Sequence, residues 1–223
     1  MTSKNLTNFV NKITTQGMRE DGRQMLEMRG LKIVFNATGD GCEVSLGKTK
    51  VFAKVHARIN EPTLAKPNEG SIKFQVNLRI AQESIQSFTN QKSMELSTEI
   101  SKYLERNIKG SRALDSESLC ILTGKYVWNI TCELSLLNND GNLLDAFSYA
   151  AIVVLYRFKL PFVSVEAGKL KVHSFQEKRP QTLSIHHFPI SMTFGITSLM
   201  VDKEEKEFIV FDPKVGSKHN SEN

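Results

Sequence analysis

From Leu31 onward the apolar side chains fall on every second position. Leu31, Ile33 and Phe35 form one run, Cys42, Val44 and Leu46 a second, and Val51, Ala53, Val55 and Ala57 a third. That alternation belongs to half-buried strands. Gly39-Asp40-Gly41 and Gly47-Lys48-Thr49 separate the runs as hairpin turns, which predicts an antiparallel meander. A further strand, Ile72 to Leu78, is expected after the loop 61–70. Over 92–109 the period changes. Met94, Leu96, Ile100, Tyr103, Leu104 and Ile108 recur at three- and four-residue spacing, which predicts a helix stopped at Gly110. Strands return at Leu119–Leu122 and Val127–Leu137, where Trp128, Ile130, Cys132, Leu134 and Leu136 share one face. After a turn at Asn138 to Asn142, Leu143 to Phe158 is the most apolar helix and ends before Pro161. Lys169–His173, Leu183–His187, Ile190–Ile196 and Phe208–Phe211 read as short strands. The polar residues 1–18 read as a short helix or arm, Asp21-Gly22-Arg23 as a turn, and 216–223 as a disordered tail.

Strands, helix, strands, helix, strands is the order of an α+β protein. No repeat and no linker interrupts it, so one domain over 1–215 is expected. The chain has 223 residues, 40% hydrophobic and 24% charged, enough for a sizeable core and too apolar for disorder throughout. The longest apolar stretch, Ala150 to Leu155, is far short of a membrane span, and the first residues carry no apolar core of a secretory signal. Cys42, Cys120 and Cys132 form no Cys-x-x-Cys pair. They argue against a disulfide scaffold, for a reducing compartment, and against a zinc site.

Several motifs suggest chemistry and then lose it. Gly47-Lys48-Thr49 has the ending of a phosphate-cradling loop. That loop must open a helix, and here Lys50 to Arg58 alternates as a strand. His186-His187 would point to opposite faces of a strand, which prevents joint chelation. Asp202, Glu204 and Glu205 read as a solvated turn, and no Gly-x-Ser-x-Gly elbow is present. The net charge of +5 matters only where it is clustered. Lys102, Arg106 and Lys109 are spaced to share one helix stripe, with Arg112 just beyond. Such a line is either a solvated face partnered by Glu99 and Glu105 or a surface for a phosphate backbone.

Five strings in order carry a resemblance. Asp21-Gly22-Arg23, Gly47-Lys48-Thr49-Lys50-Val51, Asp115-Ser116-Glu117-Ser118-Leu119-Cys120, Asn139-Asp140-Gly141-Asn142-Leu143-Leu144-Asp145-Ala146 and Leu183-Ser184-Ile185-His186-His187-Phe188-Pro189-Ile190 resemble the RNase PH-like subunits of the RNA exosome ring. The last string narrows the resemblance to a catalytically silent member. It covers about residues 17–213. It implies an RNase PH-like fold, of the ribosomal protein S5 domain 2-like type, with mixed sheets and helices. It implies a nuclear, nucleolar and cytoplasmic ring built with other RNase PH-like subunits, a phosphorolytic-type partner among them. S1/KH cap subunits and single-stranded RNA complete the expected partners, with no membrane. Members of this branch continue past Phe211-Asp212-Pro213 with further strands and a closing helix, so the C-terminal end is expected to be truncated.

The same resemblance bears on catalysis. Phosphorolytic members place Gly-Thr-Arg or Gly-Ser-Arg at the turn into the second helix. There the hydroxyl, the guanidinium and the helix N–H groups take the attacking phosphate. This chain has Gly141-Asn142-Leu143-Leu144-Asp145, without hydroxyl or guanidinium and with a carboxylate in the first turn. Of the acidic pair that active members carry after a late strand, Asp212 alone remains. The expectation is a non-catalytic subunit with no metal or cofactor, in which Lys102, Arg106, Lys109 and Arg112 touch RNA. The alternative is a phosphate-dependent 3′→5′ exoribonuclease using Arg106 and Lys109 as phosphate ligands.

Overall fold

The structure is a computed structural model that describes residues 12–78, 90–166, 169–201 and 204–214. The expected tail at 216–223, most of the N-terminal arm and Asp202 lie outside these residues.

The alternating runs become β1 (Leu31–Phe35), β2 (Gly41–Leu46) and β3 (Thr49–Asn60), which pair antiparallel in sequence order. Gly47 turns the β2–β3 hairpin at φ 59°, a conformation open to glycine. β4 (Ser71–Asn77) does not extend the meander. β3 pairs instead with β6 (Tyr126–Asn138), and β4 lies on the far side of β6, parallel to it, with Phe74 opposite Cys132. β5 (Cys120–Leu122) also pairs β6. The sheet order is therefore β1-β2-β3-β6-β4.

Two helices cover this sheet. α1 (Asn90–Glu105) packs on β4, and α2 (Leu143–Arg157) packs on β2, β3 and β6. α1 runs into a wider π-type turn over Arg106–Gly110, so the helical stretch does stop at Gly110. Ile100, Leu104 and Ile108 are buried from this side, whereas Met94 is exposed. α2 contributes Ala146, Phe147, Ala150, Ala151, Val154 and Leu155 to the same core. Opposite them stand Val44, Leu46, Val51, Val55, Ile130 and Leu134, the inward positions of the period-two runs. The architecture is mixed α+β. Among the described residues no helix is long and apolar enough to cross a membrane.

The later chain departs from the periodic reading. Lys159–Leu160 (β7) pairs Gln181–Thr182 (β10), and Val163–Glu166 (β8) pairs Lys169–Val172 (β9). Leu183–His187 is not a strand; it makes a single bridge, Leu114 to Ile185, because no neighbouring strand offers it a ladder. The strand expected at Ile190–Ile196 begins only at Phe194 and continues to Val201 as β11. Glu204 and Glu205 do not form a turn: they open β12 (Glu204–Phe211), opposite Val201 and Met200 of β11. His186 and His187 are consequently not on a strand. They line different hollows, His186 beside Lys109 and His187 beside Phe188, and neither joins a metal-ligand group among the described residues.

Candidate functional site

The turn into α2 is where the sequence places the question of catalysis, and the fold brings three distant segments to it. Gly141 (φ 88°) and Asn142 (φ 53°) take left-handed conformations before the helix, which glycine and asparagine tolerate best. Thr49, fully buried at the start of β3, holds this turn from below. Its hydroxyl donates to the Gly141 carbonyl at 2.8 Å and accepts the Asp140 N–H at 3.0 Å.

Asp212 arrives from the end of β12, 1% exposed and itself at φ 51°. Arg29 grips both of its oxygens: Nη2 donates to Oδ1 at 2.7 Å and Nε to Oδ2 at 2.8 Å. The Arg29 backbone N–H adds a bond at 3.0 Å and Arg23 Nη1 another at 3.1 Å, both to Oδ2. Arg19 donates to the carbonyls of Phe211 and Asp212 at 2.6 and 3.1 Å. Arg29 also reaches the carbonyls of Asp140 and Gly141, so one guanidinium ties the segment before β1 to the α2 turn and to β12. Burial alone would raise the Asp212 carboxyl; the bonds from Arg29 and Asn142 outweigh it and bring the group down to about 2. Burial pushes the Arg19 guanidinium the other way, below its usual value, with Arg23 adding repulsion.

A second carboxylate stands in the first turn of α2. Asp145 is 1% exposed and has no cationic partner among the described residues. It accepts the Thr193 N–H and the Thr193 hydroxyl, each at 2.9 Å, and Asn142 Nδ2 at 2.8 Å. Asn142 Nδ2 also donates to Asp212 Oδ1 at 2.8 Å. One amide thus bridges the two carboxylates, and the positive end of the helix is already matched with negative charge. The sequence marks Asp145 and Asp212 individually; the arginine clasp of Arg19, Arg23 and Arg29 has no local signature beyond the Asp21-Gly22-Arg23 turn.

The basic residues are elsewhere. Lys102, Arg106, Lys109 and Arg112 are all exposed, and none contacts Asp145 or Asp212. The single stripe does not persist along them. Arg106–Gly110 is a π-type turn, which changes the angular step, and Arg112 sits at φ 56°. Lys109 and Arg112 line a cleft of about 500 Å³ with Lys66, Glu69 and His186, whereas Lys102 and Arg106 lie outside it. Glu69 accepts Lys66 Nζ at 2.6 Å, and this bond, with Lys109 nearby, lowers its carboxyl.

The profile of the 3′ exoribonuclease family, domain 1, of RNase PH type, matches residues 27–161. "Exosome complex component RRP45" of Bos taurus, the subunit known as the polymyositis/scleroderma autoantigen, is 38% identical over 208 residues, 92% of this chain and 47% of its own. The protein of the same name from Schizosaccharomyces pombe is 34% identical over 87% of this chain and 66% of its own. The chain therefore spans about half the length of the mammalian relatives it matches. A subunit in the structure "archaeoglobus fulgidus exosome with RNA bound to the active site" superposes with a TM-score of 0.66 at 28% identity, over 93% of this chain and 75% of that one. With the family profile matching more than half of its residues, the chain belongs to the RNase PH family of 3′ exoribonuclease-type proteins.

Proposed function

We propose that this chain is a non-catalytic RNase PH-like subunit of an exosome ring, which scaffolds its neighbours and lends basic residues to RNA during 3′–5′ processing and degradation. The relatives named as exosome components and the RNA-bound archaeal neighbour support ring membership. Other RNase PH-like subunits, a phosphorolytic-type one included, and S1/KH cap subunits are its partners, in the nucleus, nucleolus and cytoplasm.

The observation that carries the non-catalytic reading is the occupied start of α2. An attacking phosphate dianion would enter a site that already holds the carboxylates of Asp145 and Asp212, with Asn142 bridging them. The nearby guanidinium groups of Arg23 and Arg29 are spent on Asp212. The purified chain, incubated with RNA and inorganic phosphate, is expected to release no nucleoside diphosphates. Release that disappears on Asp212→Asn would overturn this reading.

RNA contact belongs to the Lys102, Arg106, Lys109 and Arg112 surface, through backbone phosphates and without base preference. A reconstituted ring carrying Arg106→Glu and Lys109→Glu should bind single-stranded RNA more weakly and with a shallower salt dependence. Unchanged affinity and slope in an intact ring would make the four residues a solvated face.

A further inference from the structure

A second cleft lies at the other end of α2 from the Asn142 turn. It has a volume of about 900 Å³ and opens between β3, the β1–β2 turn and the segment that follows α2. Three cations line it: Arg58 on β3, Arg157 in the last turn of α2 and Lys159 on β7. None of the three has an ion-pair partner among the described residues. The acidic groups of the cleft, Asp40 and Glu133, have partners other than these three cations. Asp40 faces Lys54 at 3.8 Å and accepts from Asn36 and Thr38, and Glu133 faces His56 at 3.5 Å. The helix dipole accounts for Arg157, since a cation suits a helix C-terminus. It does not account for Arg58 or Lys159, which stand on strands.

The aromatic content of the cleft needs its own reason. Phe175 lines it and is 62% exposed. Arg157 lies over the Phe35 ring at 5.6 Å, and that ring is 45% exposed. A lone exposed phenylalanine is ordinary. An open ring beside three unmatched cations, one of which lies over a second exposed ring, has the components of a single-strand nucleic-acid groove, where cations follow the backbone and rings take the bases.

We propose that this cleft binds single-stranded RNA, with phosphates on Arg58, Arg157 and Lys159 and a base stacked on Phe175. An acidic peptide would use the cations and leave the open ring without a task. The cleft shares no lining residue with the one that holds Lys109 and Arg112, and the proposal does not require ring membership.

The test uses the full chain, titrated at several salt concentrations with a labelled oligouridylate and with an abasic strand of the same length. Arg58→Gln with Lys159→Gln should lower the magnitude of the log-affinity against log-salt slope by about 1.4, at roughly 0.7 per cation removed. Phe175→Ala should weaken oligouridylate about fivefold or more and leave the abasic strand unchanged, with Phe175→Tyr restoring the loss. Lys109→Gln with Arg112→Gln, which removes these two cations from the other cleft, should leave the sensitivity to Phe175 intact. Melting temperatures of all variants establish that they are folded. Retained affinity and slope in Arg58→Gln/Lys159→Gln overturns the proposal, as does an equal loss of the abasic strand in Phe175→Ala. A polyglutamate peptide that binds more tightly than oligouridylate also overturns it and makes the cleft a peptide groove.

Discussion

A Cβ atom on Gly47 would stand 2.7 Å from Cδ of Arg29. The hairpin turn and the arginine clasp are thus in contact, and the Gly47 N–H donates to the Gly30 carbonyl at 2.9 Å beside them. Arg29 cannot swing away without releasing Asp212. Gly47→Ala should therefore cost more than the roughly 1–2 kcal/mol of a left-handed backbone alone. Gly39→Ala is the comparison, because Gly39 has φ 75° and nothing within 4 Å of the added carbon. Urea unfolding of both variants should place Gly47→Ala well below Gly39→Ala in midpoint.

Asp212 makes part of the stability depend on pH. Its carboxyl is lowered from 3.8 to about 2 in the folded chain, so the stabilisation is complete above the unfolded value and is lost as pH falls from about 4 to about 2. Asp21 and Asp40 are lowered as well, so the informative quantity is the difference between the native chain and Asp212→Asn. At neutral pH that variant leaves Arg29 with only the looser Asp140 carboxylate, 3.7 Å away, and should be less stable by about 3 kcal/mol. The gap should close towards pH 2 when unfolding is followed across the range.

Gly70 is needed for its lack of a side chain. A Cβ there would overlap both Leu119 Cβ and the Trp128 carbonyl oxygen. The backbone atom belongs to β6 and cannot give way, and Gly70 N–H already bonds the Ser116 carbonyl at 2.9 Å. Gly70→Ala should destabilise by about 3 kcal/mol or more, through overpacking. Gly124→Ala, with nothing within 4 Å, is the control for a pure backbone effect.

Ser191 is a hub between both helices and the chain leading to β11. Its hydroxyl meets Tyr103 at 2.8 Å, Asn107 at 3.3 Å and Ser148 at 2.9 Å, and its carbonyl accepts the Tyr149 hydroxyl at 2.8 Å. Ser191→Ala keeps the carbonyl bond and strands the buried Ser148 hydroxyl, which should cost about 1–3 kcal/mol. Thermal unfolding of Ser191→Ala and of Ser148→Ala/Ser191→Ala should show the double variant losing less than the sum of the singles.

The elements that the pattern located are those whose burial repeats at a local period: β2, β3, β6, α1 and α2. β1 carries the same alternation and yet Leu31, Ile33 and Phe35 are all exposed. It is the edge of the sheet, paired to β2 alone, and α2 packs over β2 and β3, with the Arg157 guanidinium rather than an apolar side chain over the Phe35 ring. The parallel place of β4 depended on a partner strand that begins 55 residues later, a relation that no period records. Leu183–His187 has the composition of a strand, but a ladder needs a neighbour and only Ile185 found one. At the site, Asn142 and Asp145 were visible as departures from a phosphate-binding turn, and Asp212 as the remaining member of an acidic pair. What they do instead was not, because their partners Arg29 and Thr193 come from opposite ends of the chain.

The clasp also sets an order on folding during synthesis. Arg29 leaves the ribosome 183 residues ahead of Asp212, and every strand of the large sheet and both helices are made in between. Hydrophobic closure of that sheet needs none of the clasp, so the nascent chain assembles its core first and its ionic lock last. Until Asp212 emerges, Arg19, Arg23 and Arg29 have only Asp21 and the looser Asp140 to offset them, and a growing chain stalled short of β12 presents this cluster, still net cationic, to any polyanion within reach.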